Sequence, residues 1–475
     1  MRLVTEVPPP IQIFRRPHIA FCPHTGELLK GFSRLDWSEA GGEPGHSNSL
    51  IDTRGTIFGA PDVNTTVSLE KGWSQPSMLT RSDPEDRVSS VVVARGQVVA
   101  TTTRGRIAIY DATSGEPRLE RPLEWPDGST DPIDPSRNVR HSPAFRGTRM
   151  VVATAHQAQF RDLRRFLFGT ETDARPRLVE PEPGTIFLGA PLGVDLGAET
   201  WFCLLQGRPD KESIQNPVLR FFDLEGKQVR RCALEAIARP PVFDQPGRCL
   251  VTIDPKGIVA MLPAEELLKA QPTPTLALPD PLLQLEPEER PTLIAVRDDH
   301  RRTELWVASQ LGGSTLLYRC NLEDLRQDPQ AAWAWEKRDL GQLGPLSGFG
   351  VGIGSRYSPN AAGQLLAVTT SQQAVLLQRL SSSNTGSSMH GLELGSARGS
   401  FDPPLLCAAG VIARLQGKLV LDNQGIGWNS DVLHPHVAIP GTYDRAQGIA
   451  MFGRQVFIGH GLGVRSYRVV LGEKR

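Results

Sequence analysis

Short apolar runs separated by glycine turns recur about every fifty residues along this chain, and their internal period is two rather than 3.6. That pattern dictates strands, because successive side chains of a strand point to opposite faces. The clearest unit runs Val91-Val92-Val93, a turn at Gly96, Val98-Val99-Ala100, a turn at Arg104-Gly105-Arg106, then Ile107-Ala108-Ile109-Tyr110-Asp111 and a turn at Ser114-Gly115-Glu116. Further units begin at 143, 190, 241, 293, 351, 403 and 448, so successive starts from 91 lie 52, 47, 51, 52, 58, 52 and 45 residues apart. They keep the same order, as in Trp201–Leu205 followed by Val218–Asp223, or Cys249–Ile253 followed by Lys256–Met261.

A period near fifty residues holding three or four short strands is the mark of a β-propeller. One four-stranded sheet is too small to bury its own apolar faces. Sheets packed face to face around an axis bury both faces of each, and the closed ring leaves only short, protected edges. A pair of packed β-sandwiches would show irregular spacing and a crossover in each domain, which the fixed period argues against. The expected fold is all-β: a propeller of seven four-stranded blades, with eight as the alternative count. The unit at 448 holds only half a blade, so N-terminal strands must close the ring; Ile11–Phe14, His18–Cys22 and Leu50–Phe58 are the candidates. Residues 1–80 are read as a segment of closing strands and long loops, and 81–475 as the blades of one domain with insertions near 155–180 and 263–291. The 46 Gly and 39 Pro, roughly 18% of 475 residues against about 12% on average, are the turn chemistry of this repeat.

The unit at 91–119 resembles the pyrroloquinoline-quinone-like propeller repeat. It has Thr102-Thr103-Arg104-Gly105, an Ile-x-Ile-Tyr strand and then Asp111-Ala112-Thr113-Ser114-Gly115. In that family such a turn joins the last two strands of a blade, and a Trp four residues past the Gly docks neighbouring blades. Asp111 and Gly115 match, but Leu119 stands where the Trp would be. Phe222–Lys227 is a version one residue shorter, and the other units keep only the apolar rhythm. The resemblance implies the fold and not quinone binding. Leaderless, degenerate propellers of this size also resemble the β-propeller partners encoded with MoxR-type AAA ATPases and von Willebrand A proteins in bacteria. That second likeness implies a scaffold in an ATPase-linked bacterial system.

Catalytic motifs are missing. There is no G-x-x-x-x-G-K-[ST] loop and no G-x-S-x-G elbow. The glycine run Gly348–Gly354 lacks dinucleotide-binding spacing and reads as an inner strand near a crowded axis. Cys22-Pro23-His24 and His434-Pro435-His436 read as loops rather than zinc or metal sites, because no second Cys pair or carboxylate pair accompanies them. Asp111, Asp223 and Asp254 precede glycine turns, where such side chains bond backbone N–H groups. A quinoprotein dehydrogenase would bring calcium-ligating carboxylates and regular Trp docking, and neither is visible. No catalytic, cofactor-binding or metal-binding residue and no cofactor is therefore assigned. The six cysteines form no C-x-x-C pair and mostly sit in strand-like runs. Together with the absence of a signal or an apolar span, they place the expectation in the cytoplasm.

Lys plus Arg and Asp plus Glu are both 52, which excludes a polyelectrolyte binder by bulk charge and makes nucleic acid an improbable partner. The sum conceals an asymmetry. From Arg137 to Arg165 seven Arg face one acid, Asp162, while from Ala264 to Asp299 eight acids face three bases. In Ala155–Phe168, Phe160, Leu163 and Leu167 fall at helical spacing with Arg161, Arg164 and Arg165 around them. The functional reading is a protruding element that docks an acidic protein partner through Phe160, Arg161, Arg164, Arg165, Phe166 and Phe168. The expected protein is a non-enzymatic scaffold, a monomeric propeller within a complex. The alternative is an enzyme or small-ligand binder that uses the central channel, quinoprotein-like or hydrolase-like.

Overall fold

Blade 1 is laid down by four antiparallel strands in chain order: Val88–Ala94, Gln97–Thr102, Arg106–Asp111 and Pro117–Pro122. In the computed structural model the described residues are 65–75, 86, 88–123, 139, 141–168, 175–196, 199–210, 213–245, 247–269, 283–298, 303–322, 324, 335–342, 448–460 and 463–473, plus the backbone of the strands between 346 and 438. Six further blades repeat this meander. Their first and last strands are Ala144–Arg146 and Arg177–Val179 in blade 2, and Ile186–Asp195 and Gln228–Ala233 in blade 3. In blade 4 they are Val242–Asp244 and Leu283–Gln284, and in blade 5 Arg290–Asp298 and Glu336–Asp339. In blade 6 they are Leu346–Ile353 and Met389–Leu392, and in blade 7 Leu405–Cys407 and Val437–Ala438. Blade 8 joins Ile449–Phe452, Gln455–His460 and Gly463–Glu473 to Thr65–Gln75 from the other end of the chain.

Eight four-stranded sheets among the described residues give the alternative blade count rather than the favoured seven. The half unit at 448 is a full blade because Thr65–Gln75 completes it, pairing with Gly463–Glu473 from Thr65 opposite Glu473 to Gln75 opposite Val464. The three stretches named from the sequence as closing strands lie outside the described residues. The glycine run at 348, read as an inner strand, lies in the first strand of its blade, which contacts the first strands of blades 5 and 7.

The reason for a ring is visible in blade 1. Val91, Val93, Val98, Ala100, Ala108 and Tyr110 share one apolar cluster with Ala450, Val456 and Phe457 of blade 8. The alternate residues Val92, Ala94, Val99, Ile107 and Ile109 join Phe145 and Met150 of blade 2. Each face of the sheet is thus a protein interior. Equivalent clusters join blades 2 and 3, 3 and 4, and 4 and 5. Contacts between first strands carry the series through blades 6 and 7.

Side chains reach across these interfaces to the backbone about one repeat away. Gln245 accepts from the Asp195 N–H at 3.2 Å and donates to the Asp195 carbonyl at 2.8 Å, clasping blade 4 to blade 3. Arg146, buried in the first strand of blade 2, donates to the Gly193 carbonyl. A Cβ at Gly193 would lie 2.1 Å from that guanidinium, so only glycine leaves room for it.

Asp111 does what its place before a glycine turn suggests. Its carboxylate accepts from the backbone of Thr113 at 3.0 Å and Ser114 at 2.9 Å. The missing docking tryptophan has a substitute. Trp73, from the closing strand, donates its indole N–H to the Ala112 carbonyl at 3.0 Å. Its ring covers Gly115, where a Cβ would come within 2.4 Å of it and where φ is +74°. Leu119, at the expected tryptophan position, packs partly buried on the opposite, blade 2 side.

Two outcomes are expected for this interface. Trp73→Ala is expected to cost about 3 kcal/mol, the lower end for a tryptophan truncation, read as a lower urea midpoint; an unchanged midpoint would show that the dock contributes nothing. Burial pushes the Tyr110 phenol up to about 12, against about 10 in an unfolded chain. The folded state then keeps a proton that the unfolded chain loses. That contribution is complete below about pH 10 and declines as the pH rises towards 12. Tyr110→Phe is expected to flatten part of the alkaline fall in midpoint, the rest belonging to groups such as Tyr318, which is raised in the same way.

Candidate interaction face

Strand parity gives the propeller two unlike rims. Connections between blades and the turns between second and third strands gather on one, the crossover rim. Turns between first and second strands and the links from third to fourth strands gather on the other. Among the described residues are two helices of six residues, Leu163–Phe168 and Ala264–Lys269. Each follows directly on the third strand of its blade, so both stand on the second rim, which we call the insert rim.

The first helix starts where the sequence supplies a cap. Asp162 accepts from the Arg164 N–H at 2.8 Å and is itself held by Arg149 at 3.3 Å. The one acid of the basic stretch is thus the N-cap. Leu163 is buried and Leu167 packs beside it against the interface of blades 1 and 2. Arg164 and Arg165 are exposed. The second helix buries Ala264 and Leu267 between blades 3 and 4, and Arg230 of blade 3 donates to its Leu268 carbonyl at 2.9 Å. Glu265 and Glu266 are exposed in its first turn, where negative charge suits the helix dipole. Two anchored helices with charges of opposite sign therefore stand on one rim, over the blade 1–2 and blade 3–4 interfaces.

Of the six residues expected to dock a partner, the structure brings Arg164 and Arg165 to the surface. Phe160 belongs to the strand Ala158–Asp162 and is 3% exposed, its ring 5.1 Å from that of Phe222 and 6.0 Å from that of Phe202. A Cβ at Gly226 would meet it at 2.7 Å, so Phe160 covers the glycine turn of blade 3 as Trp73 covers that of blade 1. Arg161 is buried, with its guanidinium on Gln159 at 2.9 Å. The helical spacing that grouped Phe160 with Leu163 and Leu167 spans a strand end and a helix start. The side chains of Phe166 and Phe168 lie outside the described residues. Glu265 and Glu266 were not singled out as docking residues, although the acidic stretch around them was the signal.

On the crossover rim, three acids are turned onto their own sheets. Asp86 accepts from Thr102 at 3.1 Å and from the Arg104 N–H at 2.9 Å, and pairs with Arg106 at 3.6 Å. Glu182 receives both Arg231 nitrogens at 2.8 and 3.0 Å, which holds its carboxyl below the usual range. Buried Glu289 accepts from Ser309 and Tyr318 at 2.6 Å each, with Lys337 at 3.3 Å. Each acid precedes the first strand of its blade and ties that crossover to the sheet. An open pocket of about 640 Å³ beside Glu289 is walled by Pro255, Glu288, Arg290 and the Gly312-Gly313 turn.

No family model and no curated protein sequence matches this chain. Solved structures do. The quinohemoprotein alcohol dehydrogenase of Comamonas testosteroni superposes with a TM-score of 0.56 at 11% identity, covering 91% of this chain and 80% of that one. A europium-containing methanol dehydrogenase gives 0.54 at 10%, covering 91% of each. The quinohemoprotein alcohol dehydrogenase ADHIIG of Pseudomonas putida HK5 gives 0.51 at 10%, covering 92% and 80%. The fold is a β-propeller like theirs. At such identity the likeness ends with the fold. Among the described residues no three His, Cys, Asp or Glu side chains gather as a metal site, and buried Asp86 and Glu289 already serve their own sheets.

Removing the cap should loosen the first helix alone. Asp162→Ala is expected to cost about 1 kcal/mol and to raise amide exchange at 164–168 above that of blade 2; unchanged exchange there would contradict the capping role.

Proposed function

We propose that this chain is a non-enzymatic β-propeller scaffold that binds protein through its insert rim. The observation that carries the reading is the pair of short helices on that rim, apolar residues anchored between blades and charges of opposite sign turned outward. Exposed charges of this kind guide encounter and choose partners more than they add raw affinity. The rigid interior behind them keeps their spacing fixed. Among the described residues Cys203, Cys232, Cys249 and Cys320 are buried thiols outside any disulfide, which accords with a reducing compartment such as the cytoplasm. No helix among the described residues is long and apolar enough to cross a membrane. An ATPase-linked bacterial system, implied by the resemblance of the sequence, is the setting we favour, and adjacent ATPase and von Willebrand A genes would support it.

The test is affinity capture from the native host with the full chain and with an Arg164→Glu, Arg165→Glu double variant. The association rate with the captured protein is expected to fall at least about tenfold in the variant. Equal capture and equal rates for both chains would sink the reading.

A further inference from the structure

From the placement of the two helices we infer that the protein held by the insert rim is a second copy of this chain. The inference rests on the scaffold reading and names its partner. Helices Leu163–Phe168 and Ala264–Lys269 leave blades 2 and 4 and pack over the blade 1–2 and blade 3–4 interfaces, a quarter of the ring apart, with the junction of blades 2 and 3 midway between them. Let two copies meet rim to rim, related by a two-fold axis that lies between them along the radius of the junction between blades 2 and 3. That rotation exchanges the blade 1–2 and blade 3–4 interfaces. Arg164 and Arg165 of each copy then stand over Glu265 and Glu266 of the other, and the contact is made twice. Such an isologous arrangement is the commonest way a soluble chain pairs with itself.

Three observations agree with it. Arg95 is exposed on the same rim and reaches over Gly147, where a Cβ would lie 3.6 Å from its guanidinium, so it adds to the positive side. Beside the axis, Glu225 of the blade 3 turn pairs with Arg149 of blade 2, and Lys227 is exposed next to it, so charges of both signs meet there and the surface does not repel its own copy. Finally, the chain has a formal net charge of zero, which removes long-range repulsion between copies. A sequence reading alone expects a single propeller; opposite signs on one rim give that propeller a reason to pair.

Charge exchange tests this directly with the full chain. Sedimentation velocity at about 20 mM salt is expected to show dimers that dissociate as salt rises, since exposed charges are screened within about 10 Å at 0.1 M. The Arg164→Glu, Arg165→Glu chain, acidic on both helices, is expected to be monomeric. So is the Glu265→Lys, Glu266→Lys chain, basic on both. Mixed in equal amounts, they are expected to form one-to-one heterodimers, a recovery that also proves both variants folded. A wild-type chain that stays monomeric at every concentration overturns the proposal, as do variants that dimerise like the wild type, or a mixture that fails to pair. The scaffold reading has its own fate. If the wild type is monomeric yet captures a host protein through Arg164 and Arg165, the dimer falls and the scaffold stands.

Discussion

From blade 1 to blade 4 each sheet buries apolar residues on both faces, and that single constraint accounts for most of the architecture. A sheet with two apolar faces has no stable existence alone. It needs a neighbour on each side, and so does each neighbour in turn. Only a closed series satisfies all members at once. In blade 1 the alternation is strict enough to assign side chains to neighbours one by one, with Val91 and Val93 turned to blade 8 and Val92 and Ala94 to blade 2. The clasps from Gln245 to Asp195 and from Arg146 to Gly193 then fix how neighbouring sheets sit along the axis.

Much of this was legible in the residues, and the failures have physical causes. Glycine turns at Gly96, Gly115 and Gly226 adopt positive φ, as their place between apolar runs implies. The closing strand was not legible. Its sequence, TTVSLEKGWSQ, alternates polar residues outward and breaks at Gly72. There the Trp73 backbone N–H donates to the Ser466 hydroxyl at 2.8 Å instead of to a backbone partner. A strand that covers the outside of one blade looks too polar to be read as core. Phe160 misled for the opposite reason, because three residues happened to fall at helical spacing across a strand end. Its docking role depends on Gly226, which lies 66 positions further on and announces nothing about Phe160.

The two rims divide the charge of the molecule differently. On the crossover rim, Asp86, Glu182 and Glu289 each meet cations or hydroxyls of their own sheet, so the field there is largely cancelled at short range. On the insert rim Asp162 and Glu225 share Arg149 and Asp111 pairs with Arg118, while two short helices add exposed charges of opposite sign. Neutral overall composition is therefore compatible with a patterned surface, because some charges cancel within contacts on both rims and others stand on separated helices.

The closing strand has a further implication for how the protein is made. Trp73 and its partner Ser466 are 393 residues apart. At a synthesis rate of about 5–20 residues per second, the first member of the pair waits roughly 20–80 s for the second to leave the ribosome. During that time Thr65–Gln75 is an open edge in a crowded solution, the kind of surface on which chains aggregate. Glu70 and Lys71, both exposed in the finished blade, place charge in the middle of that edge. Residues that make the strand hard to recognise are thus suited to keep a nascent chain from pairing with its neighbours on the polysome.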